Sequence, residues 1–378
     1  MKLKNWLTSF LREENSKVYY LSLNSSIKKG STLKRLPDLL ELLSFHKVAR
    51  PKALTAIKMH FGERGNSSYI RPLYIQRIVD YLKEKGMKPF LTDTNTLYAG
   101  HRGNSIDHLH CAHDNGFQYG MIHAPIIIAD GLWGNRSVSV EVNGDRIKNA
   151  VIGEAIADAN AILCVSHFKG HELVGFGGAL KNMGMGCAAK AGKLEMHSDV
   201  KPNVNPDKCV SCGICMEFCP VDAISMNNKK AFINQNNCIG CASCIAVCPN
   251  RCIQNSWDAS PYICMEKIAE YAKAAISCVS PACSFISFIT NVSPQCDCYG
   301  FSSTPIIGDI GILSSDDPVA LDQACLDFVN NVPWHPTYKN KPQGDKFAIL
   351  ANGLDGTVQL SHAEKIGLGN RKYELIEI

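Results

Sequence analysis

No run in this sequence approaches about 18 uncharged apolar residues, so no membrane-spanning helix is expected. The opening Met1-Lys2-Leu3-Lys4-Asn5-Trp6-Leu7 resembles a leader only superficially. Arg12, Glu13 and Glu14 interrupt it before any small-residue cleavage site, so it reads as an amphipathic segment of a cytoplasmic chain. Net charge is small, formally +4, and aromatic residues make up only 8%. No Gly-x-Gly-x-x-Gly follows a strand-like stretch, so the turn that cradles flavin and nicotinamide phosphates is missing.

Cysteine is what the chain has in abundance, 18 in 378 residues. A disulfide framework suits short secreted chains, which leaves metal ligation as the better account. Cys209-x-x-Cys212-x-x-Cys215-x-x-x-Cys219-Pro220 recurs 29 residues later as Cys238-x-x-Cys241-x-x-Cys244-x-x-x-Cys248-Pro249. Three cysteines so spaced take three corners of one iron–sulfur cube, and the fourth reaches the other cube. Cluster one is therefore expected on Cys209, Cys212, Cys215 and Cys248, and cluster two on Cys238, Cys241, Cys244 and Cys219. Pro220 and Pro249 turn the chain away, and Gly213 and Gly240 let backbone N–H groups approach the sulfurs. A zinc ribbon uses two CxxC pairs and does not fit these tandem runs. The stretch resembles bacterial two-cluster ferredoxins. Each cluster with its thiolates adds about −2, bringing the loaded chain near neutrality, so neither nucleic acid nor membrane is an expected partner.

Around this stretch, strand-like and helix-like segments alternate. Val18–Leu23, Ala53–Phe61, Lys88–Thr92, Pro125–Ala129 and Ala161–Ser166 read as strands. Pro72 opens a helix with the stripe Leu73, Ile75, Ile78, Val79 and Leu82, closed by Gly86. Ile152–Asn160 reads as a short helix, and Asn143-Gly144 as a hairpin turn. Lys201–Pro206 reads as a stiff linker. Beyond the module come a helix capped by Ser260, a strand Phe285–Asn291, a helix Asp317–Asn331 and a strand Lys346–Ala351. The expected fold class is α/β with a mostly parallel sheet. Its two chain segments, 17–200 and 255–378, flank an inserted 2[4Fe–4S] ferredoxin-like module at 201–254.

Ile57–Glu63, Thr92–Tyr98, Val165–Glu172, Gly177–Cys187 and Pro294–Cys298 resemble the uncharacterised iron–sulfur centre proteins, domain-of-unknown-function family 362. The resemblance implies the same architecture with the ferredoxin insert, and it implies no reaction. His167, Lys169 and His171 follow directly on a strand, where ligand sites of open α/β sheets gather. Gly175-x-Gly177-Gly178 with Lys181 permits close approach of an anion at the next helix start, or else simply makes a turn. This stretch is also similar to the nickel-cofactor lactate racemase family. His167, Lys169, His171 and Lys181 are the catalytic candidates.

Asp93, Asn95, Arg102, Asn104, Asp107 and His108 are ligand candidates or local caps. His101, His108, His110 and His113 crowd one segment, with His110 and His113 on one helical face. Cys111, Cys164, Cys252, Cys264 and Cys278 read as small buried apolar residues, whereas Cys187, Cys283, Cys296, Cys298 and Cys325 are harder to dismiss. Cys296-x-Cys298 with Cys187 is a candidate third metal or redox site, with Asp297 favouring a bound cation. Two functions stand open. One is an oxidoreductase passing electrons through two clusters to a site in the α/β domain. The other is a non-enzymatic ferredoxin-type carrier or metal-handling protein. Either implies a redox partner protein.

Overall fold

A computed structural model describes residues 15–24, 30–97, 100–197, 201–254 and 260–378. The segment around Trp6, Tyr98, and the expected module boundaries at 198–200 and 255–259 lie outside the described residues.

Eight strands form one sheet: β1 (Ser16–Ser22), β2 (Leu54–Lys58), β3 (Lys88–Asp93), β4 (Ile126–Ile128), β5 (Ala161–His167), β6 (Cys283–Ile289), β7 (Gly311–Ser315) and β8 (Tyr373–Glu377). Their spatial order is β8-β1-β7-β6-β5-β2-β3-β4, and only β7 runs against the others. β5 is buried at every residue, Ala161, Leu163 and Val165 facing one core and Ile162 and Cys164 the other. That alternation is the period of a strand covered on both faces, which is why it reads as a continuous apolar run.

Helix α1 (Pro72–Glu84) covers one face. It starts on a proline and buries Ile75, Ile78, Val79 and Leu82, each stabilising by about 2 kcal/mol. Leu73 does not join this stripe and is 46% exposed, because it lies about 200° around the axis from Ile75. Helices α2 (Ala179–Cys187), α3 (Pro261–Val279) and α4 (Pro318–Asn331) cover the opposite face. From β2 the chain proceeds outward to β3 and β4, then returns to the other side of β2 as β5 and proceeds to β6. The carboxyl ends of β2 and β5 therefore flank a topological switch point, where open α/β sheets form a crevice.

Several expectations change. Lys346–Ala351 is not a strand; Lys346–Leu350 is a helix whose first amides, Phe347 and Ala348, donate to Asp345. The run was too short for its period to show, and the capping aspartate decides it. The edge strand of this segment is β8 instead. Ser260 precedes Pro261 as expected but makes no side-chain cap. Ile152 belongs to the strand Asn149–Gly153, and the helix is shortened to Glu154–Ala157. The hairpin turns at Asp145-Arg146, since Gly144 N–H still bonds the Ile147 carbonyl. Most consequentially, the expected linker is structured: Asn203–Val204 pairs antiparallel with Ile253–Gln254 and brings the two ends of the cysteine-rich stretch together.

Within that stretch Ile224–Asn227 pairs with Lys230–Ile233. Asn228 and Lys229 both have positive φ, 47° and 60°, as a two-residue type I′ turn demands. The stretch touches the large domain through Ala242 and Ile245 packing on Leu97 and Leu194, and through the Trp133 and Phe218 rings 5.8 Å apart. Because its ends already meet, replacing 203–254 with a short flexible linker should leave a domain that unfolds cooperatively, with Leu97 and Leu194 newly exposed. Loss of a single thermal transition in the excised protein would show one shared core.

Candidate electron-transfer centres and cavity

In the cysteine-rich stretch, Cys209, Cys212, Cys215 and Cys248 line one small cavity, and Cys219, Cys238, Cys241 and Cys244 line a second. Each quartet thus takes its fourth sulfur from the opposite half of the repeat, and its four sulfurs surround one cavity, a set that suits an iron–sulfur cluster. Positive φ at Ser211, Gly213, Gly240 and Ala242 lets both loops curl, and amides turn toward sulfur. Ala231 N–H donates to Cys209 Sγ (3.4 Å), Ala223 to Cys219 (3.2 Å), Gly240 to Cys238 (3.5 Å) and Cys252 to Cys248 (3.3 Å). Cys252 is not an isolated apolar residue: it lines the first cavity, with its sulfur 3.3 Å from Cys248 Sγ.

The second centre is a cavity of about 620 Å³ at the carboxyl ends of β2, β3 and β5. It collects all four catalytic candidates, His167, Lys169, His171 and Lys181, with Cys296 and Cys298. The loop bearing the two cysteines is seated on the strand Lys169–His171, whose Gly170 would place a Cβ 2.1 Å from the Pro294 carbonyl oxygen. No larger residue permits that approach. Asp297, between the cysteines, does not face them. It is fully buried, accepts from His167 Nδ1 (2.8 Å) and Ser68 Oγ (3.2 Å), and lies 3.6 Å from Lys169 Nζ. Cys296 and Cys298 line the cavity instead, on a turn that the Tyr299 N–H closes on the Cys296 carbonyl (3.2 Å).

His171, Cys296 and Cys298 present ligand atoms all within 4.8 Å of one another. Cys187 is not among them; it is buried in the apolar core with Cys283 and Cys325. The Cys298 thiol donates to Cys296 and holds it well below the usual thiol range against its burial, with Lys181 and His171 adding to the effect. Cys298 is raised correspondingly by that same hydrogen bond and by burial. Lys181 Nζ lies 3.9 Å from Cys296 Sγ; burial opposes its charge, but the two sulfurs outweigh it and raise its pKa. His171 Nδ1 accepts the Leu173 amide (3.2 Å), so a neutral ring carries its proton on Nε2 and serves the sulfur as a donor.

The glycine-rich turn does not receive an external anion. Ala179 and Leu180 N–H donate to the buried carboxylate of Asp322 at 2.7 and 2.9 Å, and a Cβ on Gly178 would meet Asp322 Oδ1 at 2.2 Å. Burial pushes Asp322 up to about 7. Lys58, Glu63 and Arg102 form the cavity wall. Lys58 bonds Asn182 Oδ1 (2.6 Å) and pairs with Asp93 (3.1 Å), while Arg102 pairs with Glu63 (3.2 Å). Asp93, Arg102 and His108 thus belong to one buried network, Asn104 caps the helix Ser105–Asp114, and Asn95 is bonded to Asp130. His110, His113 and Asp107 are exposed on that helix, and among the described residues no metal-ligating group includes them.

A family model described as a domain of unknown function (DUF362) matches residues 55–327, most of the chain. The chain belongs to this family. Over 38 residues it is 50% identical to the ferredoxin-type protein NapF of Haemophilus influenzae, a match to 10% of this chain and 22% of that protein. Two solved structures are similar in outline. The lactate racemase apoprotein of Thermoanaerobacterium thermosaccharolyticum has a TM-score of 0.42 and 12% identity over 84% of this chain and 57% of that one. A Thermotoga maritima protein has a TM-score of 0.42 and 10% identity over 80% and 58%. The chain spans little more than half the length of either solved structure and about a fifth of the curated relative.

Removing the Asp297 charge should loosen the sulfur-bearing loop. Burial alone would raise this carboxyl, yet His167 and Lys169 hold it below its ordinary 3.8. A depressed folded pKa contributes stability above the unfolded value that is lost on acidification below about pH 4. Asp297→Asn, examined by denaturant unfolding, should cost about 3 kcal/mol or more at pH 7, lose part of that acid dependence, and make Cys296 and Cys298 label faster.

Proposed function

We propose that this protein is an iron–sulfur oxidoreductase in which two [4Fe–4S] clusters carry electrons between a partner protein and the large cavity. The observation that carries this reading is a continuity of packing. Ala242 lines the second cysteine cavity and packs against Leu97, and Leu97 lines the large cavity. In this reading cluster two lies next to the site, and cluster one, with Cys212 and Val210 exposed beside it, is the further of the two along this packing. A redox partner docks at cluster one. The partial ferredoxin-type match supports the same reading. At the cavity end, Cys296 presents a thiolate braced by Lys181, and His167 and Lys169 stand behind it through Asp297. Anaerobically purified protein should contain about eight irons and show interacting S = 1/2 signals on reduction. Stoichiometric zinc with little iron would sink the reading.

A second reading, a metal-handling ferredoxin-type protein without turnover, draws on the His171, Cys296 and Cys298 group. Here the two thiolates hold a soft cation that His171 and the cavity complete. Cys296→Ala with Cys298→Ala should then abolish any metal beyond the eight ferredoxin-type irons, measured by elemental analysis. If metal content is unchanged while turnover is lost, the thiolates serve the oxidoreductase directly.

A further inference from the structure

The two halves of the cysteine repeat are related by 29 residues, so Cys219 corresponds to Cys248 and Ala223 to Cys252. The structure preserves this relation at the level of single bonds. Ala223 N–H donates to Cys219 Sγ at 3.2 Å, and Cys252 N–H donates to Cys248 Sγ at 3.3 Å. At this position the halves differ by one group: where cluster two has a methyl, cluster one has a thiol. That thiol is buried, 4% exposed, lies 3.3 Å from Cys248 Sγ, and lines the same cavity as Cys209.

We propose that Cys252 is a positioning residue that sets cluster one at a higher midpoint potential than its unmodified counterpart would have, making the two clusters unequal. The inference rests on the two-cluster reading. With a cluster bound, Cys248 is a thiolate without a proton, so of the two sulfurs in the contact Cys252 is the one that can donate, adding to the Cys252 amide. Cluster one gains one electron on reduction, no bond forms or breaks, and the Cys252 proton stays on its sulfur. The extra electron raises negative charge on the ligand sulfurs, and a donor aimed at them favours that state. Sited on cluster one, the asymmetry gives the pair a preferred resting place for the first electron.

The test is a redox titration of the loaded protein followed by electron paramagnetic resonance, with iron counted in every sample. Cys252→Ala should keep about eight irons, move one midpoint negative and leave the other unchanged. Cys252→Ser, which keeps a donor, should restore much of the shift. Ala223→Cys, the same thiol placed at the corresponding position, should move the other midpoint positive. Unchanged potentials in Cys252→Ala with eight irons retained would overturn the proposal. So would a loss of four irons, which would make Cys252 a ligand. A wild-type protein without iron would instead overturn the two-cluster reading itself.

Discussion

Asp297 is buried without solvent contact, and its carboxylate is divided between His167 at the end of β5, Lys169 and Ser68. A charge in that position is tolerable only because cations and donors surround it. Its consequence reaches beyond the ion pair. Anchoring the middle residue of Cys-Asp-Cys to the strand end directs the flanking sulfurs the other way, into the cavity. Gly170 supplies the close backbone approach that lets the loop sit there. The anchor and the sulfurs are one device, read from opposite faces of the same three residues.

The remaining charges around the cavity are largely spoken for. Lys58 is held by Asp93 and Asn182, and Lys193 by the Asn95 and Ala188 carbonyls. Burial lowers Lys193 to about 8, partly offset by Asp130 and Asp93. These lysines brace the ends of β2 and β3 rather than offer charge to a ligand. Lys181 differs, because its nearest polar partner is a sulfur at 3.9 Å. It is therefore the cation best placed to respond when something enters beside Cys296. A cavity can be rich in lysine and still have only one poised for an arriving anion.

Local pattern carried much of the architecture. Continuous apolar runs marked β1, β3 and β5, proline and glycine bounded α1, and the internal repeat divided eight cysteines into the quartets that line separate cavities. What local pattern could not carry was pairing over distance. The partner of the glycine-rich turn is Asp322, 143 residues beyond Ala179, so a turn that invited an external anion is filled from within. Cys187 sits in a stretch rich in glycine and looked functional, whereas its small size serves the packing of α2. Cys252 is buried as expected, and its sulfur also lies 3.3 Å from Cys248 Sγ. Its correspondence with Ala223 was present in the repeat, and comparing the halves residue by residue beyond the ligands would have revealed it.

The point of insertion explains why a cysteine module belongs on this sheet. The chain leaves β5 through α2 and the helix Lys190–His197, passes through the cysteine-rich stretch, and returns by α3 to β6. β5 and β6 are adjacent parallel strands, and both point their carboxyl ends toward the cavity side. A module placed in any outer connection would meet an edge of the sheet. Placed in this one, it follows directly on the helix Lys190–His197, and Leu194 of that outgoing helix packs with Leu97 and Ala242. Apolar side chains, Leu97, Leu194 and Ala242, thus stand between the second cysteine quartet and the cavity. Electron transfer tolerates such a layer, whereas water and protons do not cross it readily. The same apolar packing fixes the cysteine-rich stretch against the domain and lies between its second quartet and the sulfurs of the cavity.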